Sequence, residues 1–168
     1  MRLHFLCVNH RALLKSDINR ALAVFQAGYD SGNYFFWQAD WSEATPHLGC
    51  AFEVAEIMLT QTITEKESSR ASEWLTMSAI LLAYSFNNKN NRKDAEEIIM
   101  LTINRVEGKL VDNPTQAAFC SRHLERLYYA LSNITNGNLT AAGNFEDVMI
   151  YNSVSAVPRT LPHNDTII

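Results

Sequence analysis

Apolar residues recur along the chain at three- and four-residue steps in five separate stretches, and none alternates apolar with polar positions for long, which is the pattern of amphipathic helices rather than strands. In the first, Ile18, Ala21, Leu22, Phe25 and Tyr29 share one face, with Ser16 as the N-cap and Ser31-Gly32 as the end. The second face holds Leu48, Ala51, Phe52, Ala55, Leu59 and Ile63. Thr45 before Pro46 reads as its start, because a threonine hydroxyl can accept from an orphan backbone N–H and a proline at the first helical position gives up nothing. Residues 64–69 read as a turn, with a cap at Ser68 or Ser69, and a third face follows in Ala71, Trp74, Leu75, Ser78, Leu82 and Phe86. The asparagines of Asn87 to Asn91 end it, since their side chains compete for backbone hydrogen bonds.

A fourth face runs through Ala95, Ile98, Ile99, Thr102, Ile103 and Val106, with Gly108 as its stop. Asn113-Pro114 repeats the cap-plus-proline grammar and opens a fifth, whose inward residues are Ala117, Ser121, Leu124, Tyr128, Leu131 and Ile134 before Asn136-Gly137. Leu3 to Val8 is a helix start or an irregular lead-in, because a lone strand would have no partner. A shorter helix is expected over 144–151. The expected architecture is all-α, a bundle or short superhelix of about five to seven helices packed as antiparallel hairpins. Residues 1–151 form one domain in this reading, and 152–168, with Pro158, Pro162 and no period, an extended tail.

Gly32, Phe35, Asp40-Trp41, Ala44, Leu48 and Ala51 together resemble the tetratricopeptide repeat (TPR), a helix-turn-helix unit with small residues where its helices touch. Leu82, Ala83, Phe86, Ala95 and Ile99 fall at corresponding offsets. The units depart from the family at Ser31 and Thr102 and lack its closing proline. Ala44 and Ala95 are 51 positions apart, against a family period of about 34. In the repeat phase one helix runs through Trp41, Ala44 and Leu48, a conflict with a start at Pro46. The resemblance implies a scaffold or chaperone whose stacked hairpins hold a partner's peptide or helix in a groove.

Composition narrows the classes. With 47% apolar and 19% charged residues the chain is globular and not disordered. A net charge of −4 with no basic run makes nucleic acid and anionic membranes poor partners. The apolar run from Leu3 is cut off by Asn9, His10 and Arg11, too early for a secretory core. Three well-separated cysteines make no disulfide framework, so the expected compartment is cytoplasmic.

Eight Phe, six Tyr and three Trp include a dense cluster from Tyr34 to Trp41, and Tyr34, Trp37 and Trp41, with Trp74, are the candidate partner-binding residues, because such rings are enriched in interface hot spots. The opposing reading is that the rings fill the first hairpin's core. Each cysteine has a histidine three positions away, at His4 and Cys7, His47 and Cys50, and Cys120 and His123. On a helix this spacing puts both side chains on one face, and both types ligate zinc or copper. His47, Cys50, Cys120 and His123 are therefore candidate ligands of a metal-binding or thiol-sensing alternative, although a buried cysteine also serves as a small hydrophobe. Glu53 and Glu56, one turn apart, read as a solvated face. No phosphate loop, nucleophile elbow or His-Glu-x-x-His is present, so no enzyme, cofactor or catalytic residue is assigned. The function expected is protein binding, by a monomer or a homodimer.

Overall fold

The computed structural model describes residues 4–62, 64–112 and 117–137, and these form six α-helices: α1 (Val8–Ser16), α2 (Ile18–Trp37), α3 (Trp41–Thr60), α4 (Glu65–Asn88), α5 (Arg92–Asp112) and α6 (Ala117–Asn136). Each packs antiparallel on the next. The even-numbered helices also meet one another, α2 against α4 and α4 against α6. Residues 4–7 are an irregular lead-in to α1, one of the two outcomes expected. Ile63, the Asn113-Pro114 start, the short helix over 144–151 and the tail over 152–168 lie outside the described residues.

Several boundaries differ from the sequence reading, each for a local physical reason. Gly32 does not end α2, which continues to Trp37. A Cβ there would lie 2.6 Å from Leu48 Cγ and 2.9 Å from the Leu48 backbone nitrogen, so this glycine is the notch into which α3 fits. The N-cap of α2 is Asp17, whose carboxylate accepts from the Arg20 N–H at 3.0 Å, while Ser16 closes α1. α3 starts at Trp41 and not at Pro46, because the Asp40 carboxylate accepts from the Glu43 N–H at 3.2 Å. Thr45 is no cap; its hydroxyl donates back to the Trp41 carbonyl at 2.6 Å. Pro46 removes the N–H that would have reached the Ser42 carbonyl, and both residues lie on the exposed side of the helix.

Thr64, rather than Ser68 or Ser69, caps α4 through a reciprocal box: the Glu67 N–H donates to its hydroxyl at 3.3 Å and its own N–H donates to the Glu67 carboxylate at 3.0 Å. Gly108 lies inside α5 with nothing near its missing side chain, so nothing requires the helix to stop there.

Two of the hairpin turns have the same form. Ala39 (φ 56°) and Asn90 (φ 59°) are left-handed, and the following residues, Asp40 and Asn91, donate their N–H groups to Phe35 and Phe86 at 3.0 and 2.9 Å. This is the bond pattern that ends a helix in a Schellman turn. The two turns lie 51 positions apart, the same offset as Ala44 and Ala95. The core is built around α3 and α4, which are buried on every side over Ala51–Ala55 and Ser78–Phe86. Small polar residues permit the close approach there and satisfy themselves: Thr76, Ser78, Ser85 and Thr102 each donate to the carbonyl four residues back at 2.8–2.9 Å.

Candidate functional site

Three places carry the chemistry that the sequence singled out. The first is the tip of the α2–α3 hairpin. Phe36 is the ring that enters the core; it meets Trp41 edge-on at 5.0 Å and Trp37 edge-on at 5.9 Å. That leaves Trp37 43% exposed and Tyr34 62% exposed. Trp37 is held in place, since its indole N–H donates to Asn33 Oδ1 at 3.0 Å. Tyr34 sits edge-on to Phe35, which stacks on the His47 ring at 5.5 Å. Trp37 and Trp41 thus flank the same core ring, while Tyr34 packs on the separate Phe35–His47 stack. Trp74 is elsewhere: it stacks on Phe25 at 5.0 Å, with the Arg70 guanidinium carbon 5.9 Å from its ring. Phe25 and Phe36 are separated by roughly 16 Å of α2, at 1.5 Å of rise per residue, so the fourth candidate is not brought to the tip.

The second place is the acidic pair on α3, and here the solvated-face expectation fails. Glu53 is 3% exposed. Its two carboxylate oxygens accept from successive backbone N–H groups of the lead-in, Phe5 at 3.1 Å and Leu6 at 2.9 Å. His4 Nδ1 lies 3.7 Å and Arg11 Nε 3.9 Å away. Glu56 pairs with Arg11 at 3.5 Å and with Arg105 of α5 at 2.9 Å. The two acids therefore tie the lead-in, α1 and α5 to α3. The Phe5 ring lies directly over Gly49, where a Cβ would overlap it, and 6.5 Å from the Phe86 ring. Beside this contact an open cleft of about 370 Å³ separates α3 from α5, with Phe52, Glu56, Glu97, Leu101 and Arg105 in its walls. The sequence did carry a signal: Glu53 is the lone acid in Ala51-Phe52-Glu53-Val54-Ala55, on a helix otherwise apolar at that level.

The third place is the Cys/His pairs. Cys120 and His123 face inward from α6, both buried, and neither ring nitrogen of His123 has a hydrogen-bond partner. Phe119 meets the imidazole edge-on at 4.3 Å. Burial, with Arg126 and Arg122 adding to it, lowers the His123 pKa to about 4, so the ring is neutral at pH 7. Burial likewise raises the Cys120 thiol. Cys50 is half-buried, its pKa raised by burial and then by Glu53, which makes it a poor thiolate at neutral pH. Cys7 is exposed and hydrogen-bonds His10, not His4. The four candidate ligands divide between α3 and α6, and among the described residues no group of three or more His, Cys, Asp or Glu is placed to hold a metal ion.

Among the described residues no helix is long and apolar enough to cross a membrane. Comparison with protein-family models, with curated proteins and with solved structures gave no match.

Proposed function

We propose that the chain is a non-enzymatic protein-interaction module, an adaptor or chaperone of TPR-like hairpins in the cytoplasm, which holds a peptide or helix of a partner protein against the rings at the α2–α3 tip. The observation that carries this reading is the pair Tyr34 and Trp37: the first is mostly exposed and the second nearly half exposed, while Phe36 between them takes the core position. Large rings held rigid at a surface give contact area at little entropic cost, which is why such residues anchor interfaces. The TPR-like part is supported by Gly32 receiving Leu48 and by the turns at Ala39 and Asn90 recurring in step with Ala44 and Ala95. Helices of 20 residues and more account for a period longer than the family's.

The test is selection of a displayed peptide library on the full chain, followed by affinity measurement on Trp37→Ala and Tyr34→Ala. Enriched peptides that carry apolar anchors and lose at least tenfold affinity on either variant support the reading. Peptides that bind the variants and the parent alike, or no enrichment, reject it. Concentration-dependent sedimentation that disappears in Trp37→Ala would mean that the tip serves self-association instead.

A metal-binding or thiol-sensing protein is the second reading, favoured by the buried imidazole of His123 without hydrogen-bond partners on the same face as Cys120. Zinc or copper(I) that leaves the melting temperature unchanged removes it.

A further inference from the structure

The lead-in before α1 is bound as a ligand would be bound. Two consecutive backbone N–H groups are received by the two oxygens of one buried carboxylate, an aromatic side chain lies over a glycine notch, and an imidazole stands beside the same carboxylate. Backbone amides supply affinity, and the pocket and the charge supply selection, which is the division of labour in peptide recognition. We propose that the surface of α3 from Gly49 to Glu53 is a docking site for an extended peptide carrying a basic residue, an aromatic residue and an aliphatic residue in succession, and that His4, Phe5 and Leu6 occupy it in cis as a displaceable strap.

Apart from these contacts the strap is little buried. Phe5 and Leu6 are only half-buried, His4 and Cys7 are exposed, α1 buries Leu14 alone, and Cys7 gives α1 no side-chain cap. Glu53, by contrast, is set deep in α3 among apolar neighbours, and a carboxylate so placed needs donors to offset its lost hydration. The strap leaves part of the surface uncovered. The cleft between α3 and α5 continues past it, flanked by Glu56 and Arg105, so an incoming segment longer than the strap has further walls to touch. This site is roughly 18 Å along α3 from Trp41, by the rise of the helix, and does not depend on the partner reading of the hairpin tip.

A tethered segment competes at an effective concentration on the order of millimolar. The experiment therefore weakens the strap in the full chain with Phe5→Ala and titrates a fluorescein-labelled peptide of residues 1–8, under reducing conditions, by anisotropy. The expected result is that F5A binds the peptide at least roughly tenfold more tightly than the parent chain does, because the cis competitor is gone. A peptide with Ala in place of Phe5 binds neither, and Glu53→Gln introduced into F5A removes the gain. Equal binding to F5A and the parent, binding that ignores the peptide's Phe, or no binding overturns the proposal. Should F5A lose its helical circular dichroism, hydrogen exchange on the parent chain decides: excess peptide must speed exchange over residues 4–7 and leave α4 unchanged, and an unaltered rate over 4–7 rejects displacement.

Discussion

Replacing Gly32 and Gly108 with alanine, one at a time, sets packing against helix propensity within a single fold. Both glycines lie inside helices, so both substitutions remove the same unfolded-chain freedom and should gain about 0.5–1 kcal/mol on that account. At Gly108 nothing lies within 4 Å of the new methyl, and the gain should appear undiminished. At Gly32 the methyl would sit 2.6 and 2.8 Å from Leu48 Cγ and Cδ2 and 2.9 Å from the Leu48 backbone nitrogen. The leucine tip can turn, but the backbone contact requires α2 and α3 to part. Overpacking of this kind costs about 1–3 kcal/mol, and the involvement of backbone places Gly32→Ala toward the upper part of that range. The expected outcome is a net loss of about 1–2 kcal/mol for Gly32→Ala, after the propensity gain, and a gain of about 0.5–1 kcal/mol for Gly108→Ala. At ~2–4 °C per kcal/mol for a chain of this size, thermal unfolding followed at 222 nm should show Tm falling by about 3–6 °C in the first and rising by about 2–3 °C in the second. A Gly32→Ala protein as stable as its parent would refute the close approach of α2 and α3.

Three other outcomes follow from the described contacts. His123 has a folded pKa of about 4, below the ordinary value of 6.5, so the unfolded chain binds the extra proton; the stability present above pH 6.5 is lost as pH falls toward 4, by about 3 kcal/mol at the lower end. Urea midpoints measured across that window should fall in the parent and stay flatter in His123→Phe. Thr64→Ala removes one arm of the capping box and should cost about 1 kcal/mol, read from the same denaturation curves. Glu53→Ala deletes the acceptor of two N–H bonds, each worth about 1.5–3 kcal/mol when the acceptor is charged; hydrogen exchange should show protection lost over residues 4–12 and kept in α4.

The helices were legible, and so were the inward faces of α3, α4 and α5, because burial at a 3.6-residue period leaves a direct imprint: Leu48, Ala51 and Ala55, or Ala95, Ile99 and Val106, are at or near zero exposure as their spacing implied. The face of α6 was misphased by about one position: Ala117, Ser121 and Tyr128, expected inward, are exposed, and Cys120, His123, Leu127 and Ala130 take the core beside Ile134. The helix ends were less legible. Gly32 and Gly108 have the same composition-level meaning, yet one is a notch and the other is simply tolerated, because a glycine's role is set by what lies across from it. Pro46 read as a start since the rule describes its preferred position, whereas a proline in the second turn survives where the carbonyl it frees can reach water. Asp40 was the better cap and stood six residues earlier. Glu53 was missed for a related reason: its partners are 47 and 48 positions away, beyond any periodic signal.

That separation also sets an order of assembly. Helices that pack on their sequence neighbours form contacts of short range, and such topologies fold early and quickly, hairpin by hairpin. The lead-in is the exception. Its N–H groups leave the ribosome before α3, and the carboxylate that receives them is synthesised some 48 residues later, on the order of several seconds at 5–20 residues per second. The lead-in therefore stays open while α2 and α3 are being made, and His4, Phe5 and Leu6 are fastened only once α3 exists to fasten them.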